Sequence, residues 1–120
     1  MARLLCVDDD ATALRLKCSI LEKAGYLVTP AAAAEEALTQ LDSAQFDAIV
    51  TDWRMGNGSG HAVVAAAKEK YGVPVVVVSG YIAEAFQAAK PMADLYLEKP
   101  VNPEELVKII STLLGTAELL

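Results

Sequence analysis

The chain has 120 residues, the size of one domain, and is 54% hydrophobic and 22% charged, so it has enough apolar material for one core. Sixteen acidic residues against ten basic ones give a net charge of −6, which argues against direct binding to nucleic acid. Because no apolar stretch approaches the ~18 residues that span a bilayer and no signal-peptide pattern is present, we expect a cytoplasmic protein without membrane contact. We expect a single domain over residues 1–120, with a core of about 2–115 and a short C-terminal tail.

The first half of the chain alternates short apolar runs with helical patterns. The unbroken apolar run at 4–7 predicts a strand that is covered on both faces. Apolar residues at helical spacing predict a first helix over 12–24. Residues 26–29 and 35–41 predict a second strand and a second helix, and 46–51 predict a third strand. This order is typical of repeated β-α units.

The second half continues the same alternation. A glycine-rich turn at 56–60 leads into a third helix over 62–71. The unbroken β-branched run at 73–78 predicts a central strand. A short fourth helix over 82–90, which a proline ends, is followed by a fifth strand over 95–97.

The final helix has a recognisable start. Asn102 is a preferred N-cap residue, Pro103 suits the first helical position, and Glu105 lies three residues after the cap. An apolar stripe follows, and Gly115 is a typical stop residue. This pattern predicts a fifth helix that begins directly after Asn102.

The order of elements predicts the fold class. Five strands that alternate with five helices imply a doubly wound α/β fold, in which a five-stranded parallel sheet lies between layers of helices. Such sheets bind ligands at the carboxyl ends of their strands. The polar residues that end the predicted strands should therefore meet in one crevice: Asp8, Asp9, Asp52, Ser79 and Lys99.

This set of side chains suggests a chemistry. Three neighbouring carboxylates repel one another, and clustered oxygens of this kind suit a hard divalent cation such as Mg²⁺. Lys99 and Ser79 would complete a site that holds a phosphoryl group. Because a carboxylate can itself be the nucleophile and form an acyl phosphate, phosphoryl transfer to Asp52 needs no general base.

Four ordered motifs resemble those of a known family. Residues 5–9 (LCVDD), 49–52 (IVTD, with Met55 and Gly60 three and eight residues later), 78–80 (VSG) and 96–100 (YLEKP) are similar to the receiver domains of response regulators, the chemotaxis-regulator-like proteins of two-component signalling. The resemblance implies a flavodoxin-like sheet with strand order 2-1-3-4-5. It also implies a signalling phosphoacceptor that catalyses only its own phosphorylation and dephosphorylation, and so is not an enzyme in the usual sense.

The resemblance implies which residues bind the metal and the phosphoryl group. Asp52 matches the phosphoacceptor, Asp9 the acid that binds Mg²⁺ directly, and Asp8 the acid that usually holds the metal through water. Arg54 would contribute its backbone carbonyl to the metal. Lys99 matches the lysine that pairs with the phosphoryl group.

The resemblance also implies which residues move on phosphorylation and which tune the reaction rates. Ser79 matches the hydroxyl residue that binds the phosphoryl oxygen and moves inward, and Tyr96 matches the aromatic residue that changes rotamer. Pro100 follows Lys99, where the family often has a cis peptide bond. Arg54 and Tyr81 occupy positions that tune the rates in the family, and bulky Tyr81 is expected to shield the acyl phosphate from water.

The resemblance also implies partners. The phosphoryl donor would be a sensor histidine kinase or a histidine phosphotransfer protein. The output partner, whose identity the sequence does not give, would bind the surface formed by the fourth helix, fifth strand and fifth helix, and the chain would be a monomer or a phosphorylation-dependent dimer. Departures from the family occur at Gly56, where a proline is usual, and at Met92-Ala93, where Gly-Ala is usual.

Other hypotheses remain for parts of this pattern. The run from Asp8 to Thr12 also fits the D-x-D-x-T motif of haloacid-dehalogenase-like phosphatases, with Asp8 as nucleophile and Asp10 as acid/base, although Asp52 would then lack a function. Asp10 could equally cap the first helix. A receiver cut from a hybrid histidine kinase or a longer response regulator is an alternative to a stand-alone one, and a degenerate binding module is a third.

Three further residues have ordinary structural interpretations. Cys6 and Cys18 lack a neighbouring cysteine or a histidine at metal-binding spacing, and we expect both to be small core residues. His61 is expected to lie on a helix face or to be partly buried, without a catalytic function.

Overall fold

The computed structural model describes residues 1–55, 58–80 and 93–115, with only the backbone described at positions 54, 58 and 59. The elements in chain order are β1 (Arg3–Val7), α1 (Ala11–Lys23), β2 (Leu27–Ala31), α2 (Ala34–Ser43), β3 (Ala48–Thr51), β4 (Arg54–Met55), β5 (Gly58–Ser59), α3 (Gly60–Ala65), a π-helical segment (Ala66–Tyr71), β6 (Val75–Ser79), β7 (Leu95–Glu98) and α4 (Pro103–Leu113). The predicted fourth helix, over 82–90, lies outside the described residues. Within them, none of the helices combines the length and the apolar content needed to cross a membrane.

A parallel five-stranded sheet organises the chain. Its strand order is β2-β1-β3-β6-β7, and every neighbouring pair is parallel. Counting only the strands of this sheet, the order is 2-1-3-4-5, so the predicted doubly wound topology is confirmed. The antiparallel pair of β4 and β5 was not predicted, because the sequence indicates only a glycine-rich turn there.

Alternate residues of the central strands pack into two separate apolar layers. Leu5, Ile49 and Val77 face the layer that includes buried residues of α2 and α3. Cys6 and Val76 face the opposite layer, which includes residues of α1 and α4. This alternation is what a strand buried on both faces requires, and it explains why the predicted strands read as unbroken apolar runs.

Side-chain caps begin two of the helices. The side chain of Asp10 accepts hydrogen bonds from the backbone N–H groups of Thr12 and Ala13, which confirms the capping interpretation of Asp10. Asn102 accepts a hydrogen bond of 3.1 Å from the N–H of Glu105, as predicted for the start of α4. The cap at Asp10 fixes where the chain turns from the end of β1 into α1.

The structure moves some predicted boundaries. Strand β2 runs to Ala31, beyond the predicted end at residue 29, because it pairs along the whole length of β1. Pro30 is tolerated because β2 is an edge strand. The third helix begins at Gly60 instead of residue 62, and its last six residues are π-helical before Gly72, whose φ of 65° ends the segment.

A close backbone approach explains the glycine that begins α3. The N–H of Gly60 donates to the carbonyl oxygen of Trp53 at 2.9 Å. A Cβ at this position would overlap the carbonyl oxygen of Asp52 and would lie 2.8 Å from the Cα of Trp53. Since these are backbone atoms, a side chain at residue 60 would displace the segment that follows Asp52.

We expect Gly60→Ala to lower the free energy of unfolding by about 1–3 kcal/mol, because the added methyl group overpacks a backbone contact. Gly80→Ala is the matched control, since a Cβ at Gly80 meets no atom of the described residues within 4 Å and no positive φ is found there. Urea unfolding followed by circular dichroism measures both. Equal effects of the two substitutions would contradict the interpretation.

Candidate functional site

The carboxyl edge of the sheet brings together most of the predicted site residues. Asp8 follows the last residue of β1, Asp52 follows β3, Ser79 ends β6 and Lys99 follows β7. One carboxylate oxygen from each of Asp8, Asp9 and Asp52 lies within 4.8 Å of the other two. The edge therefore concentrates negative charge at one point.

Asp52 is held by two donors. It is 6% exposed, and its Oδ1 accepts a 2.7 Å hydrogen bond from the backbone N–H of Trp53. Its Oδ2 accepts a 2.8 Å bond from the ammonium group of Lys99. Lys99 is itself positioned by its backbone N–H, which donates to the carbonyl oxygen of Ser79 at 3.0 Å. The arrangement fixes the orientation of the Asp52 carboxylate at the edge of the sheet.

Lys99 also lies near a second carboxylate, since its Nζ is 3.6 Å from Oδ2 of Asp8. Desolvation alone would lower the pKa of Lys99, but the hydrogen bond from Lys99 to Asp52 and the charges of Asp52 and Asp8 raise it above its ordinary value. Lys99 is therefore cationic at neutral pH and offsets part of the carboxylate charge.

Asp8 is fully buried, and both of its oxygens are engaged. Oδ1 accepts a 2.9 Å bond from the backbone N–H of Asp10, and Oδ2 accepts a 2.7 Å bond from the ammonium of Lys17. Burial would raise the pKa of Asp8, but the hydrogen bonds from Lys17 and Asp10 and the charges of Lys17 and Lys99 lower it below its ordinary value. Asp8 is thus an ionised carboxylate inside the protein.

The sequence interpretation missed Lys17. This lysine is 3% exposed and lies on the apolar face of α1, three residues after Leu14 and four before Leu21, both of which are buried. A lysine within an apolar stripe is a signal that could have been used, because a buried ammonium needs an anionic partner. The nearest strand-end acid, Asp8, supplies that partner.

The proposed switch residues lie on β6 and β7. Ser79 is fully buried and pairs in register with Glu98. Tyr96 is half-buried against the layer that contains Ile49, and its hydroxyl oxygen accepts a 3.1 Å bond from the N–H of Ala93. The peptide bond between Lys99 and Pro100 is cis, as the resemblance implies.

The rate-tuning positions are described only in part. Arg54 begins β4, with its backbone alone described, and Tyr81 lies outside the described residues. The departures from the family pattern at Gly56 and Met92 also lie outside them.

The donor set of the cluster fits a hard divalent cation. Each of the three aspartates offers a carboxylate oxygen, and Asp9 is exposed at the surface of the cluster. Oxygen-only coordination with one or two carboxylates and several waters is characteristic of Mg²⁺. Asp10 is not part of this set, because its carboxylate caps α1.

The remaining singled-out residues occupy structural positions. Cys6 is buried, Cys18 is half-buried on the same side of the sheet, and both are free thiols. His61 is half-buried, and its ring meets that of Trp53 edge to face, with centroids 5.7 Å apart. The histidine therefore packs beside the residue that follows Asp52.

Comparison with known proteins points to one family. A family model described as the response regulator receiver domain matches residues 4–111. The phosphate regulon transcriptional regulatory protein PhoB of Klebsiella pneumoniae is 30% identical over 117 residues, covering 93% of this chain and 51% of PhoB. The transcriptional regulatory protein ResD of Bacillus subtilis is 31% identical over 117 residues, covering 96% and 49% respectively. The chain thus spans about half the length of the curated relatives it matches.

Solved structures give the same result. A CheY-like response regulator receiver domain protein from Methanospirillum hungatei superposes with a TM-score of 0.89 at 31% identity, covering 98% of this chain and 97% of that one. The response regulator TrrA of Thermotoga maritima, in complex with Mg²⁺–BeF, superposes with a TM-score of 0.87 at 28% identity, covering 94% and 99%.

The pKa of Asp8 predicts how stability depends on pH. We expect Asp8→Asn to lower the free energy of unfolding at neutral pH by about 3–5 kcal/mol, because Lys17 would stay buried without its counter-charge. Since the pKa of Asp8 is lower in the folded than in the unfolded chain, its ionised form stabilises the fold above the unfolded value of about 4. That stabilisation is lost as the pH falls through the folded pKa. The difference between wild type and variant should therefore shrink below about pH 4.

Urea unfolding in a chelator between about pH 3 and pH 7 measures this difference. Glu22→Gln is the control, since it also converts a carboxylate to an amide on α1 but at an exposed position. A difference for Asp8→Asn that stays constant over the whole range would refute the assignment.

Proposed function

The chain belongs to the response regulator receiver domain family of two-component signalling, and from this premise we propose that Asp52 accepts a phosphoryl group in a Mg²⁺-dependent step. The observation that carries the proposal is the position of Asp52, which binds the ammonium of Lys99 at 2.8 Å and shares a cluster with Asp8 and Asp9. A nucleophilic carboxylate, a cation for the phosphoryl oxygens and acidic metal ligands therefore adjoin one another.

The chemistry of the step needs little from the protein beyond position and charge. An oxygen of Asp52 forms a bond to phosphorus while the bond between phosphorus and the donor atom breaks, and the electron pair of that bond leaves with the donor. For a phosphohistidine donor the leaving atom is an imidazole nitrogen. Asp8, Asp9, Asp52 and the Arg54 carbonyl would hold Mg²⁺, which would supply positive charge to offset that of the phosphoryl oxygens.

Lys99 and Ser79 act after the new bond has formed. The ammonium of Lys99 pairs with Oδ2 of Asp52 before the reaction and then pairs with a phosphoryl oxygen. The hydroxyl of Ser79 moves inward and donates to another phosphoryl oxygen, and Tyr96 changes rotamer in response. Phosphorylation in this way shifts an equilibrium between two conformations that differ in their partner-binding surface.

Receiver domains in two-component systems interact with histidine kinases and output domains. For this chain the proposed donor is a sensor histidine kinase or a histidine phosphotransfer protein. The proposed output surface includes β7 and α4, together with the predicted helix over 82–90. A stand-alone regulator and a receiver from a longer protein are both compatible with this proposal.

The phosphatase alternative is not favoured. It would need Asp10 as acid/base, yet the carboxylate of Asp10 caps α1. It would also need Asp8 as nucleophile, although Asp8 is fully buried and its Oδ2 is paired with the enclosed ammonium of Lys17. We propose accordingly that the chain catalyses only its own phosphorylation and dephosphorylation.

Intact-protein mass after incubation with acetyl phosphate tests the proposal. We expect one labile phosphoryl adduct that requires Mg²⁺ and that is absent from Asp52→Asn, because the nucleophile has been removed. Asp42→Asn is the matched control, since Asp42 lies at the far end of α2, and it should accept the group as wild type does.

The same experiment separates the alternative function. An Asp8→Asn variant is run beside Asp52→Asn under identical conditions. The receiver mechanism would be overturned if wild type forms no adduct and instead consumes acetyl phosphate by turnover that depends on Asp8 and not on Asp52. That result would support the phosphatase.

The rate-tuning position generates a second prediction. We propose that the bulk of Tyr81 excludes the attacking water, so Tyr81→Ala should lose the phosphoryl group several-fold faster than wild type. Tyr81→Phe keeps the ring and should retain the slow rate. Decay of the adduct after removal of acetyl phosphate, followed by mass, measures both rates, and an unchanged rate in Tyr81→Ala would refute shielding.

A further inference from the structure

The strongest feature without a function is the buried ammonium of Lys17 beside Asp8. We propose that Lys17 is a built-in counter-ion that positions the Asp8 carboxylate and weakens the binding of Mg²⁺ to the cluster of Asp8, Asp9 and Asp52. This inference rests on the proposed function, because it concerns the metal that the phosphoryl step requires.

The geometry of the pair is that of a fixed internal contact. Nζ of Lys17 lies 2.7 Å from Oδ2 of Asp8, and the two side chains are 4% and 0% exposed. Lys17 lies on the buried face of α1, between the buried residues Leu14 and Leu21 in sequence. Because water does not share these charges, breaking the contact would leave each of them unpaired inside the protein.

The position of Lys17 controls where Asp8 points. Its bond to Oδ2 and the backbone bond from Asp10 to Oδ1 engage both oxygens of the carboxylate. When a cation binds the cluster, the Asp8 carboxylate is already bound to Lys17 of α1. Direct metal coordination by Asp8 would compete with Lys17, whereas contact through a water would not break the pair.

The charge of Lys17 changes the electrostatics of the whole cluster. Three carboxylates and the ammonium groups of Lys17 and Lys99 give a formal charge of −1, and without Lys17 the value would be −2. Attraction of a divalent cation scales with this charge, so the internal ammonium lowers the affinity. It also reduces carboxylate repulsion when no metal is bound.

Titration with Mg²⁺ tests this proposal without any phosphoryl transfer. Calorimetry measures the dissociation constant directly. The fluorescence of Trp53, the only tryptophan in the chain and the residue after Asp52, is a second measure. We expect Lys17→Met to bind Mg²⁺ about tenfold more tightly than wild type at neutral pH, from the loss of one unit charge a few ångströms from a divalent ion.

Two variants make the comparison specific. Lys23→Met removes the same charge from an exposed position on the same helix and should leave the dissociation constant unchanged. Lys17→Arg restores the cation and should return the affinity towards that of wild type. Lys17→Gln, which keeps a hydrogen-bond donor for Asp8 without the charge, should also bind more tightly, and it serves if Lys17→Met does not fold.

The outcomes separate the possible functions of Lys17. Lys17→Met or Lys17→Gln could lower the unfolding temperature and leave the Mg²⁺ dissociation constant unchanged. Lys17 would then only stabilise the fold, and the proposal would be overturned. Weaker binding in both variants would overturn it as well. If wild type forms no phosphoryl adduct on Asp52, the proposed function is contradicted instead. The comparison of Mg²⁺ dissociation constants between wild type and the Lys17 variants remains valid in that case.

Discussion

Repulsion among three carboxylates at one edge of the sheet is the constraint around which the site is arranged. Asp8, Asp9 and Asp52 each place an oxygen within 4.8 Å of the others, a geometry that is unfavourable unless cations accompany it. The chain supplies Lys99 at Asp52 and Lys17 at Asp8. A folded chain without metal is therefore possible, and the remaining negative charge is available to attract a divalent cation.

The crowding follows from the fold. Parallel strands all end at the same edge of the sheet, and β1 and β3 are neighbours, so the residues after Val7 and Thr51 must lie side by side. The backbone ladder continues past the strand ends, since the N–H of Asp52 donates to the carbonyl oxygen of Val7 at 3.0 Å. The apolar strands thus determine how closely the acids approach.

Features that depend on local sequence were predictable. The apolar strand runs, the cap at Asn102 and the convergence of strand-end residues all follow from patterns of a few residues, and the resemblance added the family. The extension of β2 to Ala31 was not predictable, because it depends on pairing with β1 across the sheet. The same is true of Lys17, whose burial results from packing of α1 against a strand end.

The two lysines differ in a way that fits different tasks. The side chain of Lys99 is 32% exposed, so water shares its charge, and the proposed change of partner from Asp52 to a phosphoryl oxygen would cost little. Lys17 is almost fully enclosed, and separating it from Asp8 would leave two buried charges unpaired. One cation is therefore able to move during the proposed phosphoryl transfer, while the other stays with its carboxylate. In the proposed mechanism Lys17 stays beside the cluster and repels a bound cation, so it is suited to set the metal affinity, whereas Lys99 is suited to sense the phosphoryl group.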